Sequence, residues 1–196
     1  MDQGPAESSF VFNIVITPGT FRYLSVFTRS LLAHSAVRVR LVANGCPDRE
    51  LQQMRELESA SSGRIVVFRG ASEAMVPHGV ALDEIYAAHD DGDYFAFMDS
   101  DVLAKAPFME TFVQLLGAHD VVTSCNPAWS DDTILPAGAR DLVGRHAVGH
   151  DGFVYGSSYL AIYRRVAVEQ VRERWSVSFV TYAHDRLPPA AQARLV

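Results

Sequence analysis

Short apolar blocks alternate along this chain with segments in which apolar side chains recur every three or four positions. The first block, Phe10-Val11-Phe12-Asn13-Ile14-Val15-Ile16, is rich in aromatic and β-branched residues and stops at Thr17-Pro18-Gly19-Thr20, which predicts a buried strand followed by a turn. Phe21, Leu24, Phe27 and Leu31 follow at helical spacing, with Thr20 in position to cap the helix. The unit then repeats. Val37 to Ala43 predicts a strand ending at Asn44-Gly45-Cys46-Pro47, and Asp48 is placed to cap a helix whose apolar face is Leu51, Met54 and Leu57. Arg64 to Phe68 predicts a third strand, followed after a loop by a helix from Gly79 to His89 with Leu82, Ile85 and Tyr86 on its buried side. Asp93 to Met98 predicts a fourth, and Pro107 falls in the first turn of a helix carrying Phe108, Phe112 and Leu115. Such alternation predicts an α/β fold with a mostly parallel central sheet flanked by helices.

The later third is less regular. Val121 to Ser124 predicts a further strand, and about thirty residues rich in Asp, Gly, Pro and His then run to Phe153, a loop length usually tied to function or motion. Tyr159 to Tyr163 returns to strand, and Val168, Val171 and Trp175 mark a helix after Arg164-Arg165. Residues 1 to 9 are polar and carry Gly, Pro and Ser, which predicts a disordered lead-in before a single domain over 10–196.

Composition narrows the function classes. With 196 residues, 48% of them hydrophobic and 20% charged, the chain has the make-up of one soluble globular domain. Seventeen Lys and Arg against 23 Asp and Glu leave a net charge of −6, which argues against a nucleic-acid partner. The two cysteines, Cys46 and Cys125, lie far apart and form no thiolate metal pattern, as expected in a reducing compartment. The N-terminus lacks the basic and apolar regions of a secretory signal, and no apolar run reaches the roughly 18 residues of a membrane span. A cytoplasmic location is expected, with peripheral membrane contact left open.

The main candidate chemistry is Asp99-Ser100-Asp101, which follows the apolar run Tyr94 to Met98. An Asp-x-Asp pattern alone carries little information, and Asp91-Gly92-Asp93, assigned to a solvated turn, is a second instance. Context separates the two. A buried strand presents its carboxyl end at the sheet edge where open α/β folds bind ligands, and residues i and i+2 face the same side. Two neighbouring carboxylates repel each other, and a hard cation such as Mg²⁺ or Mn²⁺ bridging to phosphate oxygens relieves that repulsion.

The ordered set of Thr17-Pro18-Gly19-Thr20, Asn44-Gly45-Cys46, His78-Gly79-Val80-Ala81-Leu82-Asp83 and Phe95-Ala96-Phe97-Met98-Asp99-Ser100-Asp101 resembles glycosyltransferases of the GT-A fold, most closely the family 2 type, over about residues 10 to 165. The resemblance implies a Rossmann-like nucleotide-diphospho-sugar transferase fold and a metal-dependent hexosyl transfer. The donor would be of the UDP- or GDP-sugar type and the acceptor a saccharide, lipid or protein. It implies that Thr17, Thr20 and Arg22 contact the base or ribose, with Asn44 and Gly45 at the base and His78 near the nucleotide. Asp99, with Ser100 beside it, would face the ribose or a metal-bound water, and Asp101 would ligate Mn²⁺ or Mg²⁺ on the diphosphate. The family carries a Glu-Asp pair downstream of a basic pair resembling Arg164-Arg165, and His184-Asp185 stands in that region, so Asp185 is the candidate base. Trp129, Asp131, Asp132, Gly156, Ser157 and Tyr159 lie where the family admits its acceptor, and the sequence ends at Val196 without the further C-terminal acceptor elements the family often has.

Two other readings compete. Phe95 to Val102 also resembles the Asp-x-Asp strand of haloacid-dehalogenase-like phosphatases, with Asp99 as nucleophile and Asp101 as acid/base, but that motif belongs on the first strand and needs a later lysine, and Lys105 stands close behind it. A nucleotide- or sugar-binding module without catalysis is the third, favoured by the absence of the Glu from the Glu-Asp pair.

Overall fold

The computed structural model of the protein describes residues 5–124, 147–148, 154–155, 158–180 and 188–192. In chain order its elements are β1 (Val11–Ile16), α1 (Phe21–His34), β2 (Arg38–Ala43), α2 (Asp48–Ser59), β3 (Ile65–Arg69), α3 (His78–Ala88) and β4 (Tyr94–Met98). There follow α4 (Met109–Leu116), β5 (Val121–Thr123), β6 (Ala147–Val148), β7 (Val154–Tyr155), β8 (Leu160–Arg164), α5 (Arg165–Trp175) and a short α6 (Pro189–Gln192).

All six residues of β1 are buried, because the strand lies inside the sheet and helices cover both faces. Alternate side chains serve opposite faces. Phe12, Ile14 and Ile16 join Leu41, Met98 and Ile162 in a core closed by Phe21 and Leu31 of α1, Leu51 and Met54 of α2, and Met109 and Leu116 of α4. Val15 joins Val42, Phe95 and Phe97 beneath Leu82, Ile85 and Tyr86 of α3 on the other face. The sheet order is β3-β2-β1-β4-β8-β5. β1, β2, β3 and β4 run parallel, while β8 runs antiparallel to both β4 and β5. The predicted mostly parallel α/β sheet is therefore present, with β8 as its reversed strand.

Several local expectations are corrected. Thr20 makes no side-chain cap; its hydroxyl donates to the Thr17 carbonyl (2.6 Å) and tightens the preceding turn instead. Asp48 is the first residue of α2, with Pro47 at the cap position, and α4 starts at Met109, beyond Pro107. On α4 the buried residues are Met109 and Leu116; the expected Leu115 is 43% exposed. Within the expected lead-in over 1–9, Glu7–Ser9 form a 3₁₀ turn, and the Glu7 carboxylate accepts the Ala36 N–H (2.8 Å). The segment predicted as one long loop to Phe153 contains β6, which pairs antiparallel with β7 directly after it.

Asp91 is also not a solvated turn residue. Its two carboxylate oxygens accept from Arg40 Nη1 (2.7 Å) and Nη2 (2.8 Å), and the side chains are only 8% and 11% exposed for Arg40 and Asp91. Arg40 Nη1 also donates to Asn13 Oδ1 (2.9 Å), whose Nδ2 donates to the Ala96 carbonyl (2.8 Å). Asn13, which interrupts the first apolar block, thus ties β1 to β4 and to the Arg40–Asp91 pair.

Candidate functional site

The parallel strands β2, β1 and β4 lie side by side, and their carboxyl ends open together at one edge of the sheet. Thr17 leaves β1 there, Asn44 leaves β2, and Asp99-Ser100-Asp101 leaves β4. These five residues line one cavity of about 350 Å³, together with Val15 and the run Met75-Val76-Pro77-His78. Six of the residues singled out in the sequence therefore meet in one place: Thr17, Asn44, His78, Asp99, Ser100 and Asp101.

Each wall is fixed by identifiable bonds. The Asp99 N–H donates to the Tyr159 carbonyl (2.8 Å), which extends the β4–β8 pairing one step past the strand and sets the direction of the acidic turn. Gly19, in the turn after β1 at φ +83°, donates its N–H to Glu50 Oε2 (2.8 Å). Glu50 is buried in the first turn of α2, where a helix N-terminus favours a carboxylate. It crowds Cys46, whose thiol is pushed up to about 11 by burial and then by the Glu50 charge, and so stays protonated. His78 is the first residue of α3, and its ring meets Phe97 edge-on at 6.0 Å.

The cavity is electrostatically one-sided. Burial holds the Asp99 carboxyl above the usual range; His78 opposes that rise and Asp101 adds to it. Burial lowers the pKa of His78, with Asp99 pulling the other way, so its imidazole is neutral near pH 7. Among the described lining residues there is no Lys or Arg.

The remaining expected residues divide into three groups. Arg22 lies on α1, with its guanidinium over the Tyr23 ring (4.3 Å), and lines a separate depression between α1 and α2 with Arg29 and Glu56. Thr20 and Gly45 flank the cavity without lining it; Gly45 lies under Met75. Tyr159 lines a second, larger cavity of about 510 Å³ with Val102, Leu103, Lys105, Phe108 and Phe112. Asp185, Trp129, Asp131, Asp132, Gly156 and Ser157 lie outside the described residues. Glu50 and the Met75–Pro77 wall were not anticipated. The available signal for Glu50 was its spacing, since it stands between Cys46 and Met54 at i±4 on the apolar face of α2.

The sheet order and the helices on both of its faces form a GT-A-like fold, as comparison with solved structures shows. The galactosyltransferase LgtC, crystallised with donor and acceptor sugar analogues, is similar with a TM-score of 0.53 at 13% identity, over 87% of this chain and 68% of LgtC. TarS of S. aureus (residues 1–349) gives 0.52 at 16% identity over 85% of this chain and 50% of that one. The glycosyltransferase GlyE of Streptococcus pneumoniae TIGR4 gives 0.51 at 12% identity over 96% of this chain and 42% of that one. This chain thus spans half or less of the TarS and GlyE chains. No protein-family model matches the sequence, and no curated protein matches it.

Proposed function

We propose that this chain moves a sugar from a nucleotide-sugar donor to an acceptor, with a divalent cation between the donor's diphosphate and Asp99 and Asp101. The observation that carries this reading is the meeting of Thr17, Asn44, His78, Asp99, Ser100 and Asp101 in one cavity at the carboxyl edge of the sheet. The volume is in the range of small-molecule sites.

The chemistry of the lining favours a cation. A diphosphate brought against Asp99 and Asp101 meets two carboxylates, and the described lining offers no Lys or Arg to offset them. The turn after β1 cannot substitute, because its Gly19 N–H is already taken by the Glu50 carboxylate. Among the described residues no cluster of three or more His, Cys, Asp or Glu is poised to hold a metal. Asp99 and Asp101 would hold such an ion as a pair of carboxylates, the usual protein contribution to Mg²⁺ that is shared with a substrate's phosphates. Bound there, Mn²⁺ or Mg²⁺ would supply positive charge where the leaving diphosphate becomes more negative.

The protein's own groups have distinct tasks in this reading. Thr17 and the Met75–His78 wall hold the nucleoside, and the α3 N-terminus at His78 favours the diphosphate's charge. In an inverting transfer, the acceptor oxygen bonds to the sugar carbon as that carbon's bond to the diphosphate breaks. The bonding pair leaves on the diphosphate, and the acceptor's proton passes to a carboxylate, for which Asp185 is the candidate. Trp129, Asp131, Asp132, Gly156, Ser157 and Tyr159 are proposed for the acceptor side. The phosphatase reading has less support: Lys105 lines the cavity with Leu103 and Phe108, not the one with Asp99.

The test is the melting temperature of the wild type and of Asp101→Ala with UDP, GDP, CDP or dTDP, each with and without Mn²⁺. A rise with one diphosphate that needs Mn²⁺ and disappears in Asp101→Ala is the expected result. Failure of every diphosphate to stabilise a folded wild type overturns the reading.

A further inference from the structure

Asn44 is buried, 4% exposed, at the point where β2 ends. Its side-chain amide grips one peptide unit from both sides: Nδ2 donates to the Val76 carbonyl (2.8 Å), and Oδ1 accepts the Val76 N–H (2.9 Å). This is the double bond pattern that a neighbouring strand residue would give. It is needed here because β3 ends at Arg69, so the chain leading to α3 has left the sheet. One N–H and one lone pair of the amide remain.

Gly45 completes the grip. It has φ +69°, and a Cβ placed on it would stand 2.4 Å from the Met75 nitrogen and 2.7 Å from its Cα. Any larger residue would drive the backbone at 74–75 away. Asn44 and Gly45 together therefore seat the Met75-Val76-Pro77-His78 wall, and that wall ends in the ring that packs on Phe97.

We infer that Asn44 is a positioning residue, a clamp that holds the Met75–His78 wall at the cavity mouth, and that it does not read the nucleotide base. The wall is thereby formed before a ligand arrives, and the clamp serves every base equally. The effect on nucleotide affinity rests on the donor-site reading; the clamp itself does not.

The experiment is hydrogen exchange of the wild type, Asn44→Ala and Gly45→Ala, followed by titration of each with UDP, GDP, CDP and dTDP in Mn²⁺. Both variants should exchange at least about tenfold faster in peptides covering 72–78, Asn44→Ala by losing its two bonds to Val76 and Gly45→Ala by displacing the backbone at 74–75, with β1 and β4 unchanged. Affinity for whichever diphosphates the wild type binds should fall by one common factor of about tenfold. Unchanged exchange at 72–78 in Asn44→Ala overturns the clamp, as does a loss of affinity confined to one base. Asn44→Asp keeps the acceptor and removes the donor, so it should give intermediate exchange; it serves where the alanine variant does not fold. A wild type that binds no diphosphate defeats the donor-site reading, and the exchange data still decide the clamp.

Discussion

Asp99 carries a conflict that its neighbours do not relieve. Burial raises its pKa above the ordinary 3.8, Asp101 raises it further, and the opposing pull of His78 is insufficient. The sign follows from linkage: the fold binds this proton more tightly than the unfolded chain does. Stability is therefore lost as pH rises from 3.8 through the folded value, and the loss persists at neutral pH. Asp99→Asn removes the ionisation while keeping the shape. In metal-free buffer at pH 7 the variant should melt higher than the wild type by about 2–4 °C, the shift that roughly 1 kcal/mol gives in a domain of this size. The difference should shrink as pH falls below 3.8. Melting curves across pH in a chelator check this; an equal or lower melting point at pH 7 contradicts it. At this scale the sequence was informative about which side chains matter and less so about how each is used. Asn44 was legible as a polar residue ending a strand, but its grip on Val76 depends on a loop whose path no local pattern encodes.

Between elements, the buried pair Arg40–Asp91 links β2 to the turn between α3 and β4, with Asn13 of β1 as a third partner. Burial alone would raise the Asp91 pKa, but the hydrogen bonds and charge of Arg40 outweigh it and hold the carboxyl below the ordinary 3.8. Removing the acid leaves a buried guanidinium without its counter-charge. Asp91→Ala should therefore cost about 3–5 kcal/mol, read as a lower urea midpoint at pH 7. A depressed carboxylate stabilises above its unfolded pKa, so this gap should close as pH falls below 3.8 through the folded value. A loss under 1 kcal/mol at pH 7, roughly that of a surface pair, would mean that water reaches the guanidinium. The period-two pattern of Arg38, Val39, Arg40 and Leu41 points Arg40 away from Val39 and Leu41, and outward-pointing polar residues in strands normally meet solvent. β2 is instead covered on both faces, and a burial that depends on α3 is invisible to alternation. On α4 the buried face is rotated by one position from the expected Phe108, Phe112 and Leu115, so that Met109 and Leu116 enter the core and Leu115 does not.

For the molecule as a whole, the central strands were legible because strands buried on both faces read as largely apolar runs, broken only by Asn13 in β1 and by Arg38 and Arg40 in β2, and β1, β2 and β4 are each followed by polar residues at the ligand edge. The direction of β8 was not legible from its residues. Leu160–Arg164 would look the same running either way, yet it pairs antiparallel with both β4 and β5. Among the described residues, two cavities lie beside the end of β4. The one at β2, β1 and β4 holds Asp99 and Asp101 beside His78; the other, larger and lined mostly by aliphatic and aromatic residues, holds Lys105 and Tyr159 between β4, β8 and β5. Size alone would favour the second for a nucleotide, whereas charge and donor type favour the first. A phosphate group with its cation needs oxygen ligands, and the second cavity offers the described residues Thr123, Ser124 and a single ammonium among aliphatic and aromatic side chains. Hydrogen exchange with a stabilising diphosphate and Mn²⁺ should therefore slow peptides covering 14–20, 42–46, 74–80 and 98–102, and leave 104–112 and 121–124 at their free rates. Protection confined to 104–112 and 121–124 would move the donor to the Lys105 cavity and leave Asp99 and Asp101 without the role proposed for them.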